Sequence, residues 1–406
     1  MRPYDYVLVG GGLQTGLLVL ALRRQQPRAR VAVVESSDRL GGNHTWSFHA
    51  ADLPAGAAEL VEPLVVASWP GYTVRFPGQT RTVPSRYAAI SSERFDAVVR
   101  KALELQGWCL RLNSPAAAAG PDRVVLRCGE EIAGRCVIDS RGPGPQPAGC
   151  GYQKFLGLEV ETDRPWPERL PALMDAAVAQ DDGFHFLYTL PLGPDRVLVE
   201  DTYFSDTPTL DPAACRREVE RHLSQRVGGW RVTREETGVL PMPWRADPPR
   251  KEEGGRKEEG TAPGGFRISS LFSSFIPHPS SFVLRGGCAG GWFHPATGYS
   301  FPLALRFARA VAAAPPGGAR QAADALARHL RWRMRFARFL NALLFRLVSP
   351  PHRWQVFARL YRDLPPDLLA RFYALEFSAA DAARVLIGRP PRLDLLRPLR
   401  GPGGAS

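Results

Sequence analysis

The sequence predicts an α/β protein: a Rossmann-type nucleotide-binding domain, then a mostly antiparallel β substrate domain, then a helical C-terminal region. Three observations predict it. The N-terminus carries a strand–turn–helix–strand pattern, two alternating strands fall between 184 and 203, and the residues after 316 are arginine-rich at helical spacing. With 406 residues, 44% of them hydrophobic and 23% charged, the chain can bury a large core and is too long for one simple module.

Tyr4-Asp5-Tyr6-Val7-Leu8-Val9 is a short apolar run that ends in Gly10, Gly11 and Gly12, and Leu13 to Leu22 then repeats apolar residues with a helical period. Arg30-Val31-Ala32-Val33-Val34-Glu35 is a second buried strand that ends in an acid. The three form a βαβ unit. Its turn must bring backbone N–H groups close to a pyrophosphate at the helix N-terminus, which residues without a Cβ permit, and Gly10 and Gly12 supply that. Glu35 stands where an acid accepts hydrogen bonds from a ribose 2′-hydroxyl and disfavours a 2′-phosphate, so FAD or NAD is preferred over NADP as the tightly held nucleotide. The third glycine position of the G-x-G-x-x-G fingerprint holds Thr15, followed by Gly16. The plain alternative is a tight strand–helix turn.

Arg135 to Gly142 reads as another buried strand returning to the ligand edge; Pro143 to Pro147 breaks the chain, and a new block starts near Gly151. Phe184–Leu190 and Arg196–Tyr203 alternate and suggest a hairpin. Asp211 to Val227 reads as a polar helix. The segment 246–283 departs in composition: it holds two of the four lysines, Lys251 and Lys257, inside a near-repeat, and six serines follow between Ser269 and Ser281. We read it as a low-complexity, disordered insertion without chemistry. Glycine-rich order resumes at Gly286–Pro295, and Phe301 to Ala314 reads as a helix. The expected organisation is a first part of the nucleotide-binding domain at 1–150, a β/α substrate domain at 151–245, the insertion, a return segment at 284–315 and a helical region at 316–406.

Six cysteines without a C-x-x-C pair or a His/Cys cluster support neither a disulfide framework nor a metal site, and fit a reducing cytoplasm. No gapless run of 18 apolar residues offers a spanning helix, and the N-terminus lacks the pattern of an export signal. The net charge of +12 resides entirely after Phe301, where 18 arginines face six acids. Between Arg331 and Arg346 the arginines are interleaved with Trp332, Phe336, Phe339, Leu340, Leu343, Leu344 and Phe345, and Leu347 follows. Two readings stand: a core helix with a basic solvent face, or contact with a membrane surface. The apolar interleaving argues against nucleic acid as the partner.

Five runs, in order over about 300 residues, resemble the bacterial lycopene β-cyclase family of carotenoid biosynthesis. They are Val9–Gly16, Gly42-Asn43-His44-Thr45-Trp46-Ser47-Phe48, Gly151-Tyr152-Gln153-Lys154-Phe155-Leu156-Gly157, Val199-Glu200-Asp201-Thr202-Tyr203 and His294-Pro295-Ala296-Thr297-Gly298-Tyr299-Ser300, and the stretch from Arg371 to Pro391 resembles the family's end. The insertion matches nothing in the family, and Thr15 falls at a position that varies there. The resemblance implies a Rossmann-type FAD-binding domain, reduced FAD with NADPH or NADH as reductant, and a cytoplasmic enzyme held peripherally at the inner face of the cell membrane. It implies non-redox cyclisation of the ψ ends of lycopene and related acyclic carotenoids to β-ionone rings, through γ-carotene to β-carotene. The cofactor-binding set it implies is Gly10, Gly11, Gly12, Thr15, Gly16, Glu35, Gly287 and Gly298, and Trp292, Phe293, His294 and Tyr299 would line the substrate pocket.

Protonating an unactivated alkene requires a strong acid in a dry cavity, where burial keeps a carboxyl neutral, and the cation that follows needs electron-rich faces. Glu200 and Asp201 are adjacent carboxyls on an apolar strand, so only one can face a given pocket. Glu200 is the preferred acid and Asp201 the alternative; a solvated strand end is the plain reading. His294 reads equally well as a satisfied core histidine. Two rival classes share these features: an FAD-dependent hydroxylase or isoprenoid reductase, which needs no acid at 200 or 201, and a non-catalytic membrane-associated flavin or carotenoid carrier.

Overall fold

The computed structural model describes residues 2–142, 149–245, 283–388 and 393–394. The proline break at 143–147, the insertion up to residue 282, and Pro391 lie outside the described residues.

The chain opens with β1 (Tyr4–Val9), α1 (Leu13–Gln25) and β2 (Val31–Val34), the predicted βαβ unit. Its alternation is visible in the packing: Tyr6 and Leu8 of β1 point into the main core and Val7 and Val9 into a smaller cluster on the opposite face. Next come β3 (Thr45–His49), α2 (Ala58–Val61), β4 (Ala67–Trp69), β5 (Tyr72–Phe76), β6 (Gln79–Val83) and β7 (Tyr87–Ser91). The helix α3 (Ser92–Leu105) starts where the Ser91 hydroxyl accepts the Arg94 N–H at 3.2 Å. Short strands β8 (Cys109–Arg111), β9 (Ala116–Ala119) and β10 (Arg123–Leu126) lead into β11 (Glu131–Asp139). The order β8-β2-β1-β11-β10-β9 makes the first sheet, parallel from β8 to β11 and antiparallel beyond it.

The second sheet is built from β12 (Cys150–Thr162), β13 (Ala172–Asp175), β14 (Phe184–Pro191), β15 (Arg196–Ser205) and, after α4 (Pro212–Ser224), β16 (Trp230–Pro243). Its order is β16-β12-β15-β14-β13-β5-β6. The strands β5 and β6, which precede residue 150, thus close one edge of this sheet through a parallel β13–β5 pairing. The β14–β15 pair is the predicted hairpin, with Tyr188 opposite Glu200. Asp211 caps α4 by accepting the Ala214 N–H at 3.0 Å, and Cys215, Val219 and Leu223 bury one stripe of the helix against Leu156, Leu158, Val197 and Val199. Each such aliphatic residue contributes roughly 1.5–3 kcal/mol when fully buried. Strands β3, β7 and β4 form a separate antiparallel sheet, inserted in sequence between β2 and β8 of the first sheet.

The strand β17 (Leu284–Arg285) pairs with the C-terminal half of β11 and begins the return segment. Then follow α5 (Phe301–Ala313), α6 (Ala319–Leu347), α7 (Trp354–Asp363), α8 (Pro366–Tyr373) and α9 (Ala379–Leu386). The α6 helix divides its residues: Leu330, Ala337, Asn341, Leu344 and Phe345 are buried, while Trp332 and Phe339 remain about 40% exposed. Asn341 ties the helical region to the rest, donating from Nδ2 to the Pro243 carbonyl at 3.0 Å and the Pro295 carbonyl at 2.7 Å. Arg353 is wholly buried, paired with Asp206 at 2.6 Å and set over the Phe345 ring at 4.7 Å. No helix among the described residues is long and apolar enough to cross a membrane.

Candidate active site

The glycine turn lies at the C-terminal edge of the first sheet. Gly10 has φ +89°, and a Cβ there would stand 2.9 Å from the Ser140 carbonyl oxygen, so no other residue fits without displacing backbone. At Gly12, by contrast, a Cβ would meet nothing within 4 Å, and α1 begins there without a side-chain cap. The open space in front of uncapped N–H groups fits a pyrophosphate. Glu35, at the tip of β2, accepts the Gly11 N–H at 2.6 Å and the Ser37 N–H at 2.8 Å; burial opposes its charge, but these bonds outweigh it and hold the carboxyl below its ordinary range. Thr15 is buried, and the space beyond Gly16 is filled by the Phe95 ring, 2.1 Å from where a Cβ would stand. Gly16 therefore serves the contact of α1 with α3.

The return segment connects this edge with the second sheet. The Gly287 N–H donates to Gln14 Oε1 at 2.9 Å, while Gln14 Nε2 is buried without a partner. Gly298, with φ +69°, lies against Gln153 of β12 and Leu240 of β16. Phe293 is buried, and Trp292 packs edge-on against Phe307 while its indole N–H donates to the Arg285 carbonyl at 3.1 Å. His294 is fully buried: Nδ1 accepts the Ala296 N–H at 3.1 Å and Nε2 lies 3.2 Å from the Phe372 carbonyl, and burial lowers it to about 3. It is a neutral histidine with both nitrogens satisfied.

The loop after β2 links the nucleotide edge to the acids. The Gly41 N–H donates to the Gly11 carbonyl at 2.9 Å, the Asn43 amide donates to the Glu235 carbonyl at 2.5 Å, and Thr45 Oγ1 accepts from Arg234 Nη2 at 2.5 Å. Arg234 also bonds Glu236 at 2.6 Å and Glu159 at 2.8 Å, and Arg196 takes the other Glu159 oxygen at 2.5 Å. Glu200 of β15 stands on the same face. It and Glu236 are the two register neighbours of Gly157, one on each side. Burial, the Glu236 charge and a hydrogen bond with Glu236 push the Glu200 carboxyl well above the carboxylate range, against a weaker opposite pull from Arg234. The arrangement favours the protonated form of Glu200, on a residue that keeps part of its surface accessible.

Asp201 points the other way, beneath α4. Its Oδ1 lies 2.5 Å from His185 Nε2, and His185 Nδ1 lies 2.7 Å from the Ala179 carbonyl. An imidazole that donates from both nitrogens is charged. Burial opposes that charge, but the Asp201 carboxylate outweighs it and raises His185 above its ordinary value.

A tyrosine cluster adjoins Glu200 through Tyr188, its neighbour in the β14–β15 ladder. The Tyr188 hydroxyl lies 3.1 Å from that of Tyr87 and 2.5 Å from Ser47 Oγ; Tyr87 and Tyr373 flank His49 at 4.8 and 5.6 Å, and Tyr373 bonds Tyr361 at 2.8 Å. The Tyr299 hydroxyl donates to the Asp52 carboxyl, which burial raises to about 7. Tyr299 is one of the residues the sequence reading named for the pocket; the site roles of Tyr188, Tyr87, Tyr373, Tyr361, His49 and Asp52, with Arg234, Glu236 and Glu159, escaped it. Counting back from the hairpin turn would have found Tyr188. For Glu236 there was no signal, because Arg234-Glu235-Glu236 has the composition of a solvated strand.

The lycopene cyclase family model matches residues 5–395. The lycopene β-cyclase of Pseudescherichia vulneris is 38% identical over 398 residues, covering 95% of this chain and 94% of that one. That of Pantoea ananas is 37% identical over 400 residues, covering 96% of each. Among solved structures, a geranylgeranyl bacteriochlorophyll reductase-like protein of Thermoplasma acidophilum superposes with TM-score 0.62 at 12% identity, over 95% of this chain and 96% of that one. A flavin-dependent brominase gives TM-score 0.61 at 13% identity, over 94% and 97%. At such identities the likeness is one of fold, and it is the expected α/β FAD-binding architecture.

The His185–Asp201 pair has a pH signature. A histidine raised in the folded state stabilises fully below its unfolded value near 6.5 and loses that contribution as pH rises through the folded value. Asp201→Asn removes the charge that raises His185, so the variant's stability deficit is expected to be largest at mildly acid pH and to shrink as pH rises. Urea midpoints measured from pH 6 to 9 check this; a deficit that does not vary with pH would refute the charged pair.

Proposed function

The chain belongs to the lycopene cyclase family, and from that premise we propose that it closes the ψ ends of lycopene into β-ionone rings, through γ-carotene to β-carotene, without net oxidation or reduction. The observation that carries the reading is Glu200: a carboxyl kept protonated, partly accessible, and next to the tyrosine cluster through Tyr188.

Glu200 gives its proton to C2 of the ψ end. The electrons of the C1=C2 bond form the new C–H bond and leave a cation at C1; the C5=C6 electrons close C1 to C6 and move the cation to C5. Loss of the C6 proton restores a double bond at C5=C6, so the product keeps the mass of the substrate. The rings of Tyr188 and Tyr87, joined through their hydroxyls, would offer the cation electron-rich neighbours. Water is kept out by the burial of Tyr87, His49 and Tyr72 behind them.

Gly10, Gly11, Gly12 and Glu35 would hold FAD, with the open space at Gly12 for its pyrophosphate. Bound in its reduced form, with NADPH or NADH as the source of electrons, FAD would supply an electron-rich neighbour to the cation. The partly exposed Trp332 and Phe339 lie seven residues apart on α6 among arginines, and Ile387 after α9 is 72% exposed. These features support peripheral attachment to anionic lipid at the inner face of the cell membrane, from which a C40 hydrocarbon would enter.

Glu200→Gln retains size and can donate an amide N–H to Glu236, but has no acidic proton. With purified protein at equal flavin content, β-ring formation from lycopene is expected to fall about 10²–10⁴-fold with lycopene binding unchanged; near-normal cyclisation would refute Glu200 as the acid. Gly12→Val fills the open space, and we expect a folded protein with little flavin; full flavin content would refute the assignment of the turn. In flotation with anionic liposomes, binding is expected at low salt and should weaken in part as salt screens the arginines, with Trp332→Ser/Phe339→Ser removing most of the remainder. No binding at low salt would refute membrane attachment.

A further inference from the structure

Gly157 has no side chain where a Cβ would stand 2.7 Å from Glu200 Cγ and 3.2 Å from Glu236 Cγ. The ladder places Gly157 of β12 opposite Glu200 on one side and Glu236 on the other. Two strands that would otherwise hold their side chains a full strand-pair apart can therefore lean these two across the gap. Of these two carboxyls, Arg234 bonds Glu236, at 2.6 Å, and Thr45 Oγ1 lies 3.3 Å from the same Glu236 oxygen.

We propose that Glu236 is a positioning residue for the acid: Glu200 and Glu236 form a one-proton pair across Gly157, in which Arg234 fixes the negative charge on Glu236 and so places the proton on Glu200. The inference rests on Glu200 as the acid. Two carboxyls this close cannot both ionise at modest cost, and the guanidinium decides which one does. When the Glu200 proton passes to C2, two carboxylates face each other. The repulsion makes the Glu200 carboxylate a strong base, suited to take the C6 proton from the ring cation. The pair then holds one proton, as it did at the start, and no oxidant or reductant is consumed by the step.

The groups that face the pair are Tyr188 from β14, Arg234 from β16 and His44 from the loop before β3; behind Arg234 stand Glu159 from β12, itself paired with Arg196 from β15, and Glu93 from α3. Burial pushes Tyr188 well above its ordinary value and His44 below its own, so neither changes charge in the mildly alkaline range. The alkaline limb of the cyclisation rate therefore reports the pair.

The test is the pH profile of kcat/KM for the purified flavin-loaded enzyme on lycopene. Removing the charge in Glu236→Gln is expected to move the alkaline limb down by about one to three pH units, the size of a carboxylate–carboxylate repulsion at an effective dielectric near 20. Glu236→Asp, which keeps the charge, should restore the limb most of the way. An unshifted limb in Glu236→Gln, alongside inactive Glu200→Gln, overturns the pair and leaves Glu200 as a lone acid. An active Glu200→Gln overturns the underlying assignment instead. Should Glu236→Gln yield no folded protein, Gly157→Ala takes its place: its Cβ pushes the carboxyls apart, and it is expected to lower the limb in the same direction, whereas a wild-type limb in that variant overturns the pair.

Discussion

Carboxyl groups in the middle of a sheet are costly to ionise without compensation, and the second sheet is arranged around that constraint. The side chain of Arg234 is only 11% exposed, and it neutralises two carboxylates, Glu159 and Glu236, that are more enclosed still. It has no bond to Glu200, so that carboxyl meets the constraint by keeping its proton. Arg234 also bonds Thr45, and through the loop that starts at Gly41 the acids are held in one frame with the glycine turn. Removing the guanidinium would leave the Glu236 charge uncompensated and Glu159 with Arg196 alone, and would free the loop that joins the two ends of the site.

The strand that carries Glu200 is held at its far end as well. Arg353, fully buried, donates to the Phe204 carbonyl at 3.2 Å and pairs with Asp206 just beyond β15. Asn341 fastens α6 to the end of β16 and to Pro295 of the return segment. The helical region thus braces the acid strand, the neighbouring strand and the segment between the sheets. The sequence offered a core helix or a membrane-facing one as alternatives for the arginine-rich stretch; α6 divides these features between faces, with Leu344 and Phe345 in the core and Trp332 and Phe339 outside it.

What could be read in advance was local. The βαβ unit, the β14–β15 hairpin, α4 and α5 all follow from short-range period, capping residues and glycine punctuation. The parallel pairing of β13 with β5 joins residues about 100 positions apart, and nothing in either strand signals it. Glu200 and Asp201 could be assigned to opposite faces by alternation, but which face meets α4 depends on the apolar stripe of a helix that comes later in the chain. His294 has protein partners on both ring nitrogens, which local sequence could not signal because one of them, the Phe372 carbonyl, lies 78 positions away. Glu236 escaped because burial of a charged strand depends on Gly157 and Arg234 together, residues 77 positions apart that only the ladder brings together.

The turn between β14 and β15 carries a constraint of a different kind, one of count and not of composition. Its backbone is clamped by the Gly193 N–H on the Arg196 carbonyl at 3.0 Å, the Trp166 N–H on Pro194 at 2.7 Å and the Thr162 N–H on Asp195 at 2.7 Å. None of these bonds involves a side chain, so its residues can drift through neutral substitution. A single inserted or deleted codon cannot be absorbed in the same way. It would shift β15 by one position against its neighbours, carry Glu200 beneath α4 and turn Asp201 toward Glu236. Lineages descending from this gene should therefore vary freely in the letters of the turn while conserving its length.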